Sequence, residues 1–360
     1  MATAEQKIRI AIIVPRLEAL GPVIVMQNLV NALYDNEDFS IKVFYLDGKV
    51  DNNIKISVPV ERLKPGRFIF NDYDIIHTNG IRADLFAYLN RKKIKYHIST
   101  IHNFVFEDLL YTYNSLFSWI FGNIWLILWK RADKLVCVSD AMKDYYDNWF
   151  SSSKLEAIHN GIPETDNHYR PDADVIQSID KFHSKGLKLL GFAGMLTKRK
   201  GIDQVLHLIA AETSLAAMII GDGKEITNLK RLSEKLHISD RCKFCGFRSS
   251  AVVYFKYFDF FIMPSRSEGF GLALIEAVQQ KVPVICSDNE VFRELFTADE
   301  VTFFKLDDLG SLSGSVKTTL ETGDKKSEIA YERYSQNYSA LTMAKHYQRL
   351  YKSPSVIRVA

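Results

Sequence analysis

No stretch of this 360-residue chain stays apolar for long enough to cross a bilayer, so no membrane-spanning helix is expected. Charge of one sign is scarce too. The 46 Lys and Arg against 43 Asp and Glu leave a formal net charge of +3, too mild to argue for a nucleic-acid partner. Four cysteines fit a reducing compartment. Cys242 and Cys245 form a lone CxxC with no second pair and no paired histidines, so neither a zinc site nor a redox motif is expected. In RCKFCGF a strand reading puts Cys242 and Phe244 on one face and Lys243 and Cys245 on the other. Residues Met1–Lys7 lack the basic start of a signal peptide, and no internal repeat or low-complexity tract is present. What remains is 47% hydrophobic and 25% charged, the composition of a soluble globular protein with room for two domains. A cytoplasmic protein is expected.

Short apolar runs alternate with helical stretches along the chain. Ile8–Val14, Ile41–Leu46, Asp74–His77, His97–His102 and Arg131–Asp140 read as strands of a first domain, and helices are expected near Ile24–Leu33 and Arg82–Asn90. Asp166–Lys185 is polar, contains Pro171 and shows no clear apolar period, which makes it the linker candidate. Leu187–Ala193, Met218–Gly223 and Lys243–Phe247 are strands of a second domain, and Tyr338–Lys352 has helical spacing. This is the doubly wound α/β pattern, in which ligands bind beyond the carboxyl ends of the strands. His102 ends one such strand and is a candidate site residue; His77 reads as structural.

Residues 258–288 carry the sharpest signal. Phe258–Met263 reads as a buried strand, Pro264 to Gly269 as a tight loop, and Leu272, Leu274, Ile275 and Val278 recur at helical spacing. Val282–Cys286 is the next strand. A glycine-containing loop opening a helix offers backbone N–H groups to phosphate. Glu268 in the loop and Glu276 in the helix, with seven residues between them, are acceptors suited to sugar and ribose hydroxyls.

Glu268-Gly269-Phe270-Gly271 followed by Glu276 resembles the E-x7-E motif of retaining glycosyltransferases, family 4, and the rest of the chain fits that family from first strand to last helix. The resemblance implies a GT-B fold: two Rossmann-like, doubly wound parallel-sheet domains facing a cleft, with residues 1–165 on the acceptor side, 166–185 as linker, 186–336 binding the nucleotide-sugar, and a terminal helix within 337–360 crossing back to the first domain. It implies that Lys200 grips the diphosphate, with Gly269, Phe270, Gly271 and Leu272 around the phosphates. Glu268 then orients the sugar and Glu276 holds the ribose. His102 lines the reaction centre, Gly21 approaches the donor, and Phe247 and Arg248 lie against the base. Cations at the diphosphate would neutralise charge on the leaving group. The family usually places an arginine where this chain has Met195, so Arg199 or Arg16 is expected to supply the missing charge. Asp72-Tyr73-Asp74 and Asp172-Ala173-Asp174 mimic the metal-binding triplet of another glycosyltransferase fold, but one flanks a buried strand and the other lies in the linker. No metal and no cofactor are implied.

The activity implied is retaining transfer of a hexose or N-acetylhexosamine from a nucleotide-sugar, expected to be UDP-linked, to a glycan or lipid-linked acceptor in cell-surface polysaccharide assembly (lipopolysaccharide O-antigen or capsule). Two alternatives stay open: a GT-B nucleotide-sugar 2-epimerase, and a non-catalytic partner subunit, for which Met195 is the motive. Residues 104–129 are unusually aromatic and hold few charges, while Arg91, Lys92, Lys93 and Lys95 cluster nearby. They read either as a buried helix with a solvated basic end, or as a surface lying peripherally on the cytoplasmic face of the inner membrane.

Overall fold

A computed structural model describes residues 7–48, 50–165 and 170–353. They form two compact units. The first lies within Met1–Leu109, Ser115–Pro163 and Asn337–Ala360, and the second within Leu110–Asn114 and Glu164–Gln336.

The first unit is built on seven strands: β1 (Ile8–Val14), β2 (Phe39–Tyr45), β3 (Val60–Arg62), β4 (Ile75–Asn79), β5 (Tyr96–Ile101), β6 (Lys134–Cys137) and β7 (Leu155–Ala157). They form one parallel sheet in the order β3-β2-β1-β4-β5-β6-β7. Helices α1 (Gly21–Ala32), α2 (Ile81–Leu89), α3 (Val105–Thr112), α4 (Ser115–Lys130) and α5 (Asp140–Tyr146) make the crossovers. Covering both faces of a parallel sheet with helices explains why β4 and β5 are buried along their whole length and read as continuous apolar or small-residue runs. The triplet 72–74 is structural: Asp74 accepts from Arg9 Nη2 at 2.8 Å and from Lys95 Nζ at 2.9 Å.

The second unit opens with α6 (Ala173–Ser184), in a stretch where the sequence suggested only linker. Its polar surface hides an apolar face of Val175, Ile179 and Phe182, spaced four and three residues apart, and that face is buried. Residues 166–169 of the expected linker lie outside the described residues. There follow β8 (Lys188–Ala193), α7 (Ile202–Ala211), β9 (Leu215–Ile220), α8 (Ile226–Lys235), β10 (Cys242–Gly246), β11 (Phe260–Met263), α9 (Leu272–Gln279), β12 (Val284–Ser287), α10 (Glu290–Leu295), β13 (Thr302–Phe304) and α11 (Leu309–Asn337). The six strands are parallel, in the order β10-β9-β8-β11-β12-β13. That is the dinucleotide-binding order, with its topological switch between β8 and β11. The simple alternation expected for RCKFCGF fails, because the pairing register shifts between Phe244 and Gly246 and leaves both Cys242 and Cys245 buried.

The last helix, α12 (Ala340–Tyr351), belongs to the first unit and packs against α1. Tyr351 Oη lies 2.8 Å from His77 Nδ1, and Thr100 Oγ1 lies 2.7 Å from His77 Nε2 and 3.0 Å from Tyr347 Oη. Both His77 nitrogens are thus satisfied in the core, where burial lowers its pKa to about 3. His77 is a structural residue.

Candidate active site

In the second unit the carboxyl ends of β8 and β11 lie side by side at the switch point, and each feeds a loop that carries predicted site residues. After β8 the chain runs through Gly194 and Met195 into a single 3-10 turn, Lys198–Lys200, then into α7. Gly201, at φ +68°, makes that corner. A Cβ on it would sit 2.1 Å from the Pro264 carbonyl oxygen, so glycine is what lets the loop after β8 touch the loop after β11.

The contact sets Lys200 against Glu268. The Lys200 ammonium donates to Glu268 Oε1, Ser265 Oγ donates to the same oxygen at 2.7 Å, and Arg199 Nη1 approaches Oε2 at 3.4 Å. Glu268 is only 6% exposed. Burial pushes its pKa up, but the charges of Lys200 and Arg199 and the hydrogen bonds outweigh that, so the carboxyl stays below its ordinary value and ionised. Arg199 also donates to the Ser267 carbonyl oxygen at 2.7 Å. Two cations and one carboxylate therefore share a desolvated site.

Arg266, passed over in the sequence, holds this arrangement together. Its backbone N–H donates to the Arg199 carbonyl oxygen at 2.7 Å, and Nη1 donates to the Lys198 carbonyl oxygen at 2.8 Å. The guanidinium grips both Asp203 oxygens, at 3.0 and 2.8 Å, and Asp307 Oδ1 at 2.6 Å. Gln204 ties the same loops by donating to the Pro264 carbonyl oxygen at 3.0 Å and accepting from the Asp307 N–H at 2.8 Å. The signal available in the sequence was a cation two residues before Glu268 and an acid two residues after Gly201.

Gly269 and Phe270 are buried in the loop, and Gly271, at φ +91°, is the N-cap of α9, where it supplies no side-chain cap. Leu272 is the first residue of that helix. Glu276 lies one turn further on and is half-buried. Burial alone pushes its carboxyl up to about 7, and no hydrogen bond or ion pair among the described residues engages it. The two motif acids thus differ sharply: Glu268 is paired and ionised, Glu276 unpaired and poised near neutrality.

Other predicted residues are placed less centrally. Phe247, after Gly246, is 56% exposed. Arg248 pairs with Asp172 at 2.8 Å and Asp174 at 3.4 Å, which gives the second acidic triplet a structural role at the start of α6. Met195 is exposed. In the first unit, Arg16 pairs with Asp47 at 3.1 Å and Glu18 at 3.3 Å. Gly21 opens α1 with nothing within 4 Å of a Cβ built on it, so no close packing within the protein demands glycine there. His102 follows β5, and its Nε2 lies 2.9 Å from Asn79 Oδ1. With that oxygen as acceptor, Nε2 carries the proton and Nδ1 is left with its lone pair. Burial lowers the His102 pKa to about 4, so the ring is neutral at ordinary pH.

Two parallel sheets of doubly wound topology make up the GT-B architecture, and the second of them bears an acid–lysine pair at its switch point. Family models agree along most of the chain: "Glycosyl transferases group 1" matches residues 176–336 and "Glycosyltransferase Family 4" residues 42–166. The O-antigen biosynthesis glycosyltransferase WclY of Escherichia coli is 35% identical over 305 residues, 82% of this chain and 84% of that one. The 2-deoxystreptamine N-acetyl-D-glucosaminyltransferase of Niallia circulans is 27% identical over 263 residues, 68% of this chain and 65% of that one. Among solved structures, Anabaena HepE in complex with UDP and glucose superposes with a TM-score of 0.79 at 17% identity, over 95% of this chain and 99% of that one. Sucrose-phosphate synthase from Thermosynechococcus elongatus gives 0.79 at 19% identity, over 96% and 98%. The chain belongs to glycosyltransferase family 4.

Proposed function

We propose that the protein transfers a hexose or N-acetylhexosamine from a UDP-sugar to a glycan or lipid-linked saccharide, with retention of anomeric configuration, in cell-surface polysaccharide synthesis. The observation that carries the reading is the desolvated Lys200–Glu268–Arg199 cluster at the β8/β11 switch point. An O-antigen enzyme among the relatives supports the pathway class, and the UDP complexes of HepE support the nucleotide.

On this reading Lys200 and Arg199 hold the diphosphate and neutralise the leaving group, so no metal is needed. Arg199 takes the place of the family arginine lost at Met195. The alternative donor of that charge, Arg16, is committed to Asp47 and Glu18 in the first unit. The loop Gly269–Gly271 and the start of α9 at Leu272 receive the phosphates. Glu268 accepts from sugar hydroxyls and Glu276 from the ribose, while Phe247 and Arg248 border the base. From the first unit, Gly21 serves the donor, and His102 acts on the transferred sugar as a neutral hydrogen-bonding group. The acceptor hydroxyl attacks on the face the diphosphate leaves, which requires no protein nucleophile. Lipid-linked acceptors would place the protein at the cytoplasmic face of a membrane.

Calorimetric titration of the protein and of Glu276→Ala with UDP, GDP and ADP tests the donor site. Preference for UDP, weakened in the variant, is the expected outcome; binding of none of the three overturns the reading. With a donor and acceptor in hand, NMR of the product then decides the stereochemistry, and an inverted anomer refutes retention. Exposed Met195 favours one rival, a nucleotide-sugar-binding subunit without turnover, which would bind UDP but release none from UDP-sugars.

A further inference from the structure

Strands β4 and β5 are parallel neighbours with Asn79 opposite Thr100, so the residue that ends β4 lies near the one that follows β5. Gly80, at φ +91°, turns the chain straight after Asn79, and a Cβ on it would lie 3.3 Å from the Pro15 ring. Asn79 is thereby kept at the strand end, 5% exposed, with Oδ1 2.9 Å from His102 Nε2. The loop that carries His102 is clamped as well. The buried Tyr146 hydroxyl accepts from the Val105 N–H and donates to the Asn103 carbonyl oxygen, each at 2.9 Å.

A core histidine is treated differently in the same sheet. His77 has its two ring nitrogens engaged by the hydroxyls of Tyr351 and Thr100. A hydroxyl can donate or accept, so those partners suit either tautomer; an amide oxygen can only accept. His102 meets one amide oxygen, its Nδ1 has no hydrogen bond among the described residues, and the side chain is partly exposed.

We infer that Asn79 is a positioning residue: its side-chain oxygen fixes His102 as the Nε2–H tautomer and leaves Nδ1 as an acceptor for a hydroxyl of the transferred sugar. The inference rests on the reading that His102 meets that sugar. Its chemical sense lies in charge. Positive charge builds on a sugar as its leaving group departs. An imidazolium alongside would oppose that charge, and a neutral ring accepting from a hydroxyl does not. Burial alone keeps His102 neutral, and His77, the titratable group beside it, is neutral too.

Nitrogen-15 NMR of the full chain with labelled histidine tests the tautomer without any substrate, the His102 signals being assigned by their loss in His102→Gln. A neutral ring protonated at Nε2 from about pH 5 to 8 is expected. Protonation at Nδ1, or an even mixture of tautomers, overturns the inference. Asn79→Asp keeps the shape and sets a carboxylate against Nε2, which should raise the His102 pKa by about one to three units. With whichever UDP-sugar the protein turns over, kcat of this variant relative to wild type should be lowest at acid pH, where the ring is charged. The ratio should recover as pH rises through the new pKa, with KM little changed. A ratio level with pH while the ring charges would make Asn79 merely structural. Asn79→Ala, which frees the tautomer, should lower kcat about three- to tenfold. Calorimetry with UDP checks that the second unit of each variant is intact, and the wild-type spectrum decides the tautomer should a variant fail to fold. Absence of turnover with every UDP-sugar would count against the transferase reading and leave the tautomer result standing.

Discussion

Glu276→Gln should make the empty protein more stable above neutral pH while it weakens nucleotide binding. Burial raises the Glu276 carboxyl from an ordinary 4.5 to about 7. The sign follows from proton counts. Below about pH 4.5 the group is protonated in both folded and unfolded chains and contributes no pH dependence. Between 4.5 and 7 the folded protein keeps a proton that the unfolded chain has released, so stability falls as pH rises, and the loss levels off above 7. At about 1.4 kcal/mol for each pH unit between the two values, the loss is capped at about 3.5 kcal/mol. Because the side chain is half-buried and reaches some solvent, about 1–2 kcal/mol is the expected size. Glutamine keeps the shape and removes the titration. Urea unfolding of both proteins from pH 4.5 to 8.5 should therefore give coincident curves at the acid end and a variant more stable by that amount at pH 8.5. The difference between the two proteins isolates this group from the buried histidines, which titrate in both. UDP affinity should fall by roughly tenfold, the value of a hydrogen bond to a charged acceptor. A stability difference that does not change with pH, or a variant weaker than wild type at pH 8.5, would refute the burial argument.

Arg266→Ala should lose about 1–3 kcal/mol by thermal unfolding, since its guanidinium joins the two site loops through Asp203, Asp307 and Lys198. If it acts by positioning Lys200, kcat should fall more than KM rises, and Arg266→Lys should restore stability better than turnover, because an ammonium cannot hold two carboxylates in fork geometry. Equal rescue of both would make Arg266 merely structural. Gly201→Ala should lose about 2–4 kcal/mol, combining a strained φ of +68° with a Cβ 2.1 Å from the Pro264 carbonyl oxygen. A variant with unchanged melting and UDP binding would show that the two loops separate without consequence.

The sheets were legible because parallel strands covered on both faces must be apolar along their length, as in Ile8–Val14 and Phe260–Met263. Failures came where geometry departs from simple periodicity. The Cys242/Cys245 alternation broke at a register shift that no residue pattern announces. Helix α6 was missed although Val175, Ile179 and Phe182 carry the right spacing, because three apolar residues in a polar segment after Pro171 look like linker until a neighbouring sheet is there to cover them. The candidate residues of the second unit were legible as an inventory and not as an arrangement. Lys200 and Glu268 were expected to act on different parts of a donor, and 68 positions of sequence hide that β8 and β11 are neighbours. Arg266 was invisible for the same reason, since its partners Asp203 and Asp307 lie on loops from other parts of the fold.

On the proposed reading, the pairing of Lys200 with Glu268 shows how the cluster can be ready for a diphosphate before the donor arrives. A lone buried lysine would lose its proton or refuse burial, and a lone buried carboxylate would take one up. Held together with Arg199 and Ser265, the group stays charged and largely dry, and its desolvation is already met by folding. On the proposed reading, donor binding is an exchange of partners. The diphosphate takes the cations, and Glu268, no longer fully engaged by them, turns its acceptor capacity to sugar hydroxyls. Such an exchange moves few charges into or out of water, so little reorganisation remains for the transfer step, which is where preorganised electrostatics act. On the same reading, Arg199 would supply the charge that the family's arginine brings where this chain has Met195. With Arg199 already anchored at Ser267 and facing Glu268, the cluster carries two cations to one anion without it.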